Sequence, residues 1–221
     1  MKRNPKKTET ILFMGDSITD CGRRGPNAPL GDGFAKVVGE MYAIRQPAKA
    51  VRFINKGISG NTVSDLQERW TDDVVEQKPD TLVLMIGIND LCRTVGQSPG
   101  AVPPDRFAKL YDELMARTAE ALPNCRMILL DPFYITRENA PTSIRHTVLN
   151  RLNEYIRVVH TMARKYKTGL IQTHNIFRGL LKYHKPEVFC PEPVHPNHTG
   201  HLVLAEAVYA ALTGRPGRAR G

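Results

Sequence analysis

No two of the four cysteines in this 221-residue chain stand close enough to form a C-x-x-C pair. Cys21, Cys92, Cys125 and Cys190 are spread along its length. That spacing excludes a zinc ribbon and the dense disulfide framework of a small secreted domain. Cys125 heads an apolar run and is expected in the core. Long apolar runs are missing as well. The first, residues 10–14, follows a basic N-terminus and stops at Gly15-Asp16, which predicts neither a signal peptide nor a membrane span. A soluble, cytoplasmic protein is the expectation. Acidic residues are absent from the two ends, about 1–8 and 214–221, where Lys2, Arg3, Lys6, Lys7, Arg215, Arg218 and Arg220 lie. The formal charge of +9 is therefore mostly a property of two tails: without those seven, 24 basic residues face 22 acidic ones. Solvated termini account for this, so no nucleic-acid partner is predicted. Internal repeats and low-complexity linkers are also lacking, and one domain over 1–221 is expected. With 41% hydrophobic residues the chain is able to bury a sizeable core, which excludes wholesale disorder.

Five short apolar runs are present: 10–14, 51–54, 81–86, 126–130 and 169–172. The third and fourth are nearly continuous, as expected of strands covered on both faces. Helical spacing fills the intervals. It links Phe34, Val37, Val38 and Met41, then Val63, Leu66, Trp70 and Val74. It returns at Phe107, Leu110, Leu114 and Thr118, behind the start signal Pro103-Pro104-Asp105. Leu149, Leu152, Ile156 and Val159 mark another helix, and Leu202, Ala205 and Val208 the last, after Pro196-Asn197. This alternation predicts an α/β fold, a five-stranded parallel sheet with helices on both faces.

Ligands of open parallel sheets bind beyond the carboxyl ends of the strands, so the residues placed there are the informative ones. The first strand is followed by Gly15-Asp16-Ser17, the second by the turn 55–62 containing Gly57 and Gly60, and the third by Gly87-Ile88-Asn89-Asp90. Nearer the C-terminus comes Glu192-Pro193-Val194-His195-Pro196. A hydroxyl, freed backbone amides, a carboxamide, an imidazole and a carboxylate are the parts that acyl transfer requires. A serine hydroxyl is a weak nucleophile and needs a base such as His195, whose second ring N–H needs an acceptor in turn. Glu192 is the candidate acceptor. Ser17 N–H, Gly60 N–H and the Asn89 amide are the candidate donors of a three-membered oxyanion hole. No metal or cofactor is required by this set.

These blocks, in order and spacing, resemble the SGNH (GDSL) hydrolases over about residues 10–212. The longer strings GDSITDCG, NKGISGNT, MIGIND and PFYI are similar to a narrower branch, the intracellular acetyl-xylo-oligosaccharide esterases. The resemblance implies a flavodoxin-like, three-layer α/β/α fold. It also implies Ser17 as nucleophile, His195 as base, and Gly60 and Asn89 completing the oxyanion hole. It further implies a small acetylated carbohydrate as substrate and a tendency to form homo-oligomers, though no sequence feature sets a stoichiometry. The chain departs from the family at one position, where Glu192 stands in place of aspartate. Two arrangements stay open: Glu192 as the acid, or a Ser17–His195 dyad with a backbone carbonyl orienting the imidazole.

Asp16, Tyr134 and Trp70 are candidates for contact with substrate. Bonding within its own turn is the plainer role for Asp16, and core packing the plainer one for Trp70. His195, His198 and His201 recur every third residue and invite a metal, but no further ligand cluster accompanies them and no metal site is assigned. Two other functions stay open on residues alone. One is an acyl hydrolase directed at lysophospholipids or thioesters. The other is a carbohydrate-binding module with weakened catalysis.

Overall fold

The computed structural model describes residues 8–138 and 140–214. All but Thr8 and Gly214 of the two basic tails lies outside that range. Five parallel strands form one sheet: β1 (Glu9–Gly15), β2 (Val51–Asn55), β3 (Thr81–Met85), β4 (Arg126–Leu130) and β5 (Gly169–Ile171). Their order is β2-β1-β3-β4-β5, the flavodoxin-like order. Every residue of β3 is buried, as is β1 from Ile11 onward. Burying one such Leu, Ile or Phe side chain is worth about 1.5–3 kcal/mol, which is why unbroken hydrophobic strands sit at the centre. The half-exposed β2 and the short β5 form the edges.

Helices α1 (Ser17–Asp20) and α2 (Phe34–Arg45) follow β1, and α3 (Val63–Trp70) follows β2. Then come α4 (Ile88–Val95), α5 (Pro104–Ala121), α6 (Ile144–Lys165), α7 (Thr173–Leu180) and α8 (His198–Thr213). The chain moves from β1 to β2 in one direction and from β2 to β3, β4 and β5 in the other. With right-handed crossovers, this reversal puts connecting helices on both sheet faces. Accordingly α2 packs on α8, while α3, α5 and α6 pack in series. The order reverses between β1 and β3, where Gly15 pairs with Met85, and a crevice opens there beyond the strand ends.

The five expected strands are all present, with bounds within two residues of the apolar runs. The helix expected through Val74 continues past Trp70 as a wider, π-type turn over Thr71–Val75. Two expectations are corrected. Leu202 is 40% exposed, because the Asn197 cap starts α8 so that Gly200, His201, Leu204 and Ala205 face inward. Cys125 is half-buried and packs against the edge of the core.

Candidate active site

Gly15 ends β1 where a side chain has no room: a Cβ there would strike the Met85 carbonyl and the Thr19 hydroxyl. The chain turns sharply, and Asp16 caps α1 by accepting the Ile18 N–H at 3.0 Å. Ser17 is therefore the first residue of a one-turn helix, half-buried at the mouth of the crevice. Beyond β2, Asn55 reaches back to the Thr19 and Leu30 carbonyls at 2.6 and 2.7 Å. Its own amide oxygen accepts the Gly57 N–H at 2.9 Å. Asp20 Oδ2 accepts both the N–H and the hydroxyl of Ser59 at 3.0 Å. These bonds tie the serine turn to the Gly60 turn. Gly60 itself has φ +81°, a left-handed conformation that other residues adopt at a cost. Arg93 Nη2 holds the Gly60 carbonyl at 2.7 Å.

Beyond β3, Asn89 Nδ2 donates to the Asn61 carbonyl at 3.0 Å. A carboxamide carries two N–H donors, so one remains for another acceptor. Arg69 joins the other two turns, donating to the Lys56 carbonyl at 2.8 Å, to Asn61 Oδ1 at 2.9 Å and to the Gly15 carbonyl at 3.4 Å. Among the described residues, neither the Ser17 N–H nor the Gly60 N–H meets a protein acceptor. Free donors on glycine-marked turns are what a developing oxyanion needs.

The fourth turn delivers the imidazole. His195 Nε2 lies 2.9 Å from Ser17 Oγ. Glu192 Oε1 lies 2.5 Å from His195 Nδ1 and also accepts the His195 N–H at 2.7 Å, while Oε2 accepts the Val194 N–H at 2.9 Å. The extra methylene of glutamate is absorbed by folding the side chain back over its own turn, where two backbone amides hold the carboxylate against the imidazole. Pro193 O accepts the Ile135 N–H at 2.8 Å, and Asn197 caps α8 through Gly200 N–H at 3.1 Å. The turn is thus anchored at both ends. Hydroxyl, imidazole and carboxylate form one hydrogen-bonded chain, the arrangement that lets a serine lose its proton as it attacks a carbonyl.

Two buried carboxylates lie under this layer. Burial pushes the Asp16 carboxyl up to about 7, against the Ile18 N–H and the nearby His195, which both lower it. Asp90 is pushed up to about 7 by burial as well, with the Val63 N–H pulling the other way. That N–H donates to Asp90 Oδ1 at 3.0 Å, so Asp90 holds the start of α3.

The structure brings together Ser17, His195, Glu192, Gly60 and Asn89, and it leaves two substrate-contact candidates aside. Trp70 is completely buried, and its Nε1–H donates to Thr118 Oγ1 at 3.0 Å. No ring face is available to a sugar. Asp16 is 1% exposed and its Oδ1 caps α1, so it shapes the turn without reaching substrate. Tyr134 lines a cleft between α6 and α7. His201 turns inward: its Nδ1 accepts the Phe34 N–H at 3.2 Å and its Nε2 lies 3.3 Å from Cys21 Sγ. Both ring nitrogens are occupied, and burial pulls its imidazole down to about 4. Sequence reasoning missed the residues that bind the turns together: Asp20, Arg69 and Arg93. Arg93 follows Asn89 by one helical turn on α4, a spacing that puts both on one face. That was the available signal.

The sequence profile of the GDSL-like lipase/acylhydrolase family matches residues 13–203. The chain is 38% identical over 208 residues to an acetylxylan esterase of Geobacillus stearothermophilus, an alignment covering 90% of this chain and 91% of that protein. The crystal structure of Axe2, an acetylxylan esterase from Geobacillus stearothermophilus, superposes with a TM-score of 0.83 at 34% identity, covering 92% of this chain and 94% of that one. LAE5, an alpha/beta hydrolase from the metagenome of Lake Arreo in Spain, gives 0.83 at 33% identity, over 94% and 95% of the two chains. Crystal structures of catalytic mutants of Axe2 replace a serine, a histidine and an aspartate by alanine.

Proposed function

The chain belongs to the GDSL-like lipase/acylhydrolase family and is a carboxylic ester hydrolase, and we propose that it removes acetyl groups from short acetylated xylo-oligosaccharides, using Ser17 as nucleophile. The observation that carries the reading is the continuous chain from Ser17 Oγ through His195, 2.9 Å away, to Glu192 at 2.5 Å on the other ring nitrogen. Ser17 attacks the acetyl carbonyl while His195 Nε2 takes its proton. Glu192 accepts the Nδ1–H, which selects the productive tautomer and steadies the imidazolium that forms. The tetrahedral oxyanion rests on the Ser17 N–H, the Gly60 N–H and the second Asn89 amide hydrogen. One such donor is worth about 3 kcal/mol of transition-state stabilisation. Collapse breaks the bond to the sugar oxygen, which leaves with the proton held by His195. Water then attacks the acetyl-enzyme by the same route and acetate departs.

The substrate class rests on the likeness to acetylxylan esterases and the catalytic roles on the geometry. All four thiols are free, which supports a reducing compartment, and we place the enzyme in the cytoplasm. Among the described residues no helix is long and apolar enough to cross a membrane. An organophosphonate is expected to label the wild-type protein at Ser17 and to leave Ser17→Ala unlabelled. Acetate release is then compared across acetylated xylo-oligosaccharides, acetylated pectin fragments, lysophospholipids and acyl thioesters. Preference for a long acyl chain would refute the deacetylase reading, and absence of both label and acetate would refute the enzyme.

A further inference from the structure

A second cleft, of about 440 Å³, lies between α6 and α7, away from Ser17. One wall carries Asn150 and Asn153, three residues apart on α6 and so on one helix face. The other carries His174 and Arg178, one turn apart on α7, with Lys182 just past its end. No carboxylate lines this cleft among the described residues. Neither Arg178 nor Lys182 has an ion-pair partner among them, although ten ion pairs are formed elsewhere. Asp131, whose carboxylate acts on His174, is engaged elsewhere: His160, Thr173 and the His174 backbone N–H hold its oxygens.

His174 is only 8% exposed, and its Nδ1 is buried without a hydrogen-bond partner. Two cations without ion-pair partners among the described residues and two carboxamides make a donor-rich hollow whose lining holds no carboxylate. The chemistry that fits is an oxyanion, a carboxylate or a phosphate. Thr136 lines this cleft and also a neighbouring one of about 430 Å³ that Glu192 and Pro193 help to line. The two hollows share a wall, and the second one borders the turn that carries His195.

We infer that the α6–α7 cleft is an anion subsite, and that it holds an acidic substituent of the acetylated oligosaccharide whose ester lies at Ser17. The inference rests on the esterase reading for its second half alone. An enzyme built this way favours chains that carry a uronyl carboxylate over neutral ones of the same length. The carboxylate meets Arg178 and Lys182, while its sugar hydroxyls meet Asn150 and Asn153.

The test compares acetyl-xylo-oligosaccharides with and without a uronyl branch, in the wild type and in the Arg178→Gln/Lys182→Gln variant. Both side chains are solvent-exposed, so the variant folds and keeps its activity on the neutral substrate. The expected kcat/KM advantage of the acidic substrate is roughly five- to tenfold at low salt. It shrinks as salt rises and vanishes in the variant. Binding of free glucuronate and of inorganic phosphate to Ser17→Ala protein, by calorimetry, reads the cleft without catalysis. Loss of that binding in Ser17→Ala/Arg178→Gln/Lys182→Gln supports the subsite. Phosphate binding with equal rates on acidic and neutral substrates assigns the cleft to a free anion and overturns its part in substrate choice. Binding of neither anion, or a double variant that slows both substrates alike, overturns the inference entirely. If no substrate yields acetate, the esterase reading fails, and the calorimetry still decides whether the cleft takes anions.

Discussion

Replacing Glu192 is the sharpest perturbation, because it asks whether a glutamate performs the part an aspartate plays in the family. With charge centres about 4 Å apart, attraction between a carboxylate and an imidazolium is about 1 kcal/mol in bulk water and about 4 kcal/mol near a protein surface. The His195 and Glu192 side chains are 57% and 43% exposed, which sets the pair between those limits. A stabilisation of about 2–3 kcal/mol corresponds to roughly 30- to 150-fold in rate. Glu192→Ala is therefore expected to lower kcat/KM by about two orders of magnitude, less than the ~10⁴ that a buried triad aspartate supplies in a serine protease. Glu192→Gln is expected to fall nearly as far. Its oxygen is able to accept only part of what the carboxylate holds: the Val194 and His195 amides together with His195 Nδ1. Glu192→Asp, one methylene shorter, reaches the imidazole only if the backbone of the turn shifts, and a loss of roughly tenfold is expected. The assay is steady-state hydrolysis of an acetyl ester, with thermal unfolding as the control for folding. Ala and Gln variants that stay within about threefold of wild type would show that a backbone carbonyl orients His195 and that Glu192 is dispensable.

Gly60→Ala is expected to reduce kcat by about tenfold or more, since its φ of +81° costs about 1–2 kcal/mol in an L-residue and moves the N–H donor; unchanged kcat would remove Gly60 from the oxyanion hole. Trp70→Phe should lower stability by about 1–2 kcal/mol through the lost bond to Thr118 and a smaller core volume, with kcat/KM per folded molecule unchanged; a rise in KM alone would restore a sugar-stacking role. Asp90 titrates near 7 in the fold and near 3.8 as the ordinary carboxylate. The folded state thus binds its proton more tightly, and stability is lost as pH rises through that window. Asp90→Asn, which keeps the acceptor for Val63, should gain on wild type by up to about 4 kcal/mol between pH 4 and 8, read from denaturant unfolding. Parallel pH curves for the two proteins would refute it.

Much of the fold was legible because its signals are local. TILFM, TLVLMI and RMILL announce buried strands by composition alone, and each glycine turn follows its strand in the chain. Helix faces were read less well where the cap decides the phase: Leu202 fell outside the buried stripe because Asn197 sets where α8 begins. The short α1 and the later α7 carry too few periodic residues for the pattern to emerge. Trp70 was assignable to an apolar stripe from spacing, but its loss as a sugar platform required knowing that Thr118 takes its N–H.

The order of strand-end blocks was therefore determined by the sequence itself: Gly15-Asp16-Ser17, then Gly60, then Asn89, then His195. With it came the expectation that these meet beyond one edge of a parallel sheet, since alternating strands and helices leave few other topologies. Only the tertiary structure decided how a histidine 178 positions away comes to lie 2.9 Å from Ser17. It alone decided that Glu192 folds back to reach the imidazole, and that Asp20, Arg69 and Arg93 lace the turns together. The reason is physical: a turn or a strand is chosen by a few neighbouring residues. A bond between distant turns depends on the packing of every layer beneath them, to within fractions of an ångström.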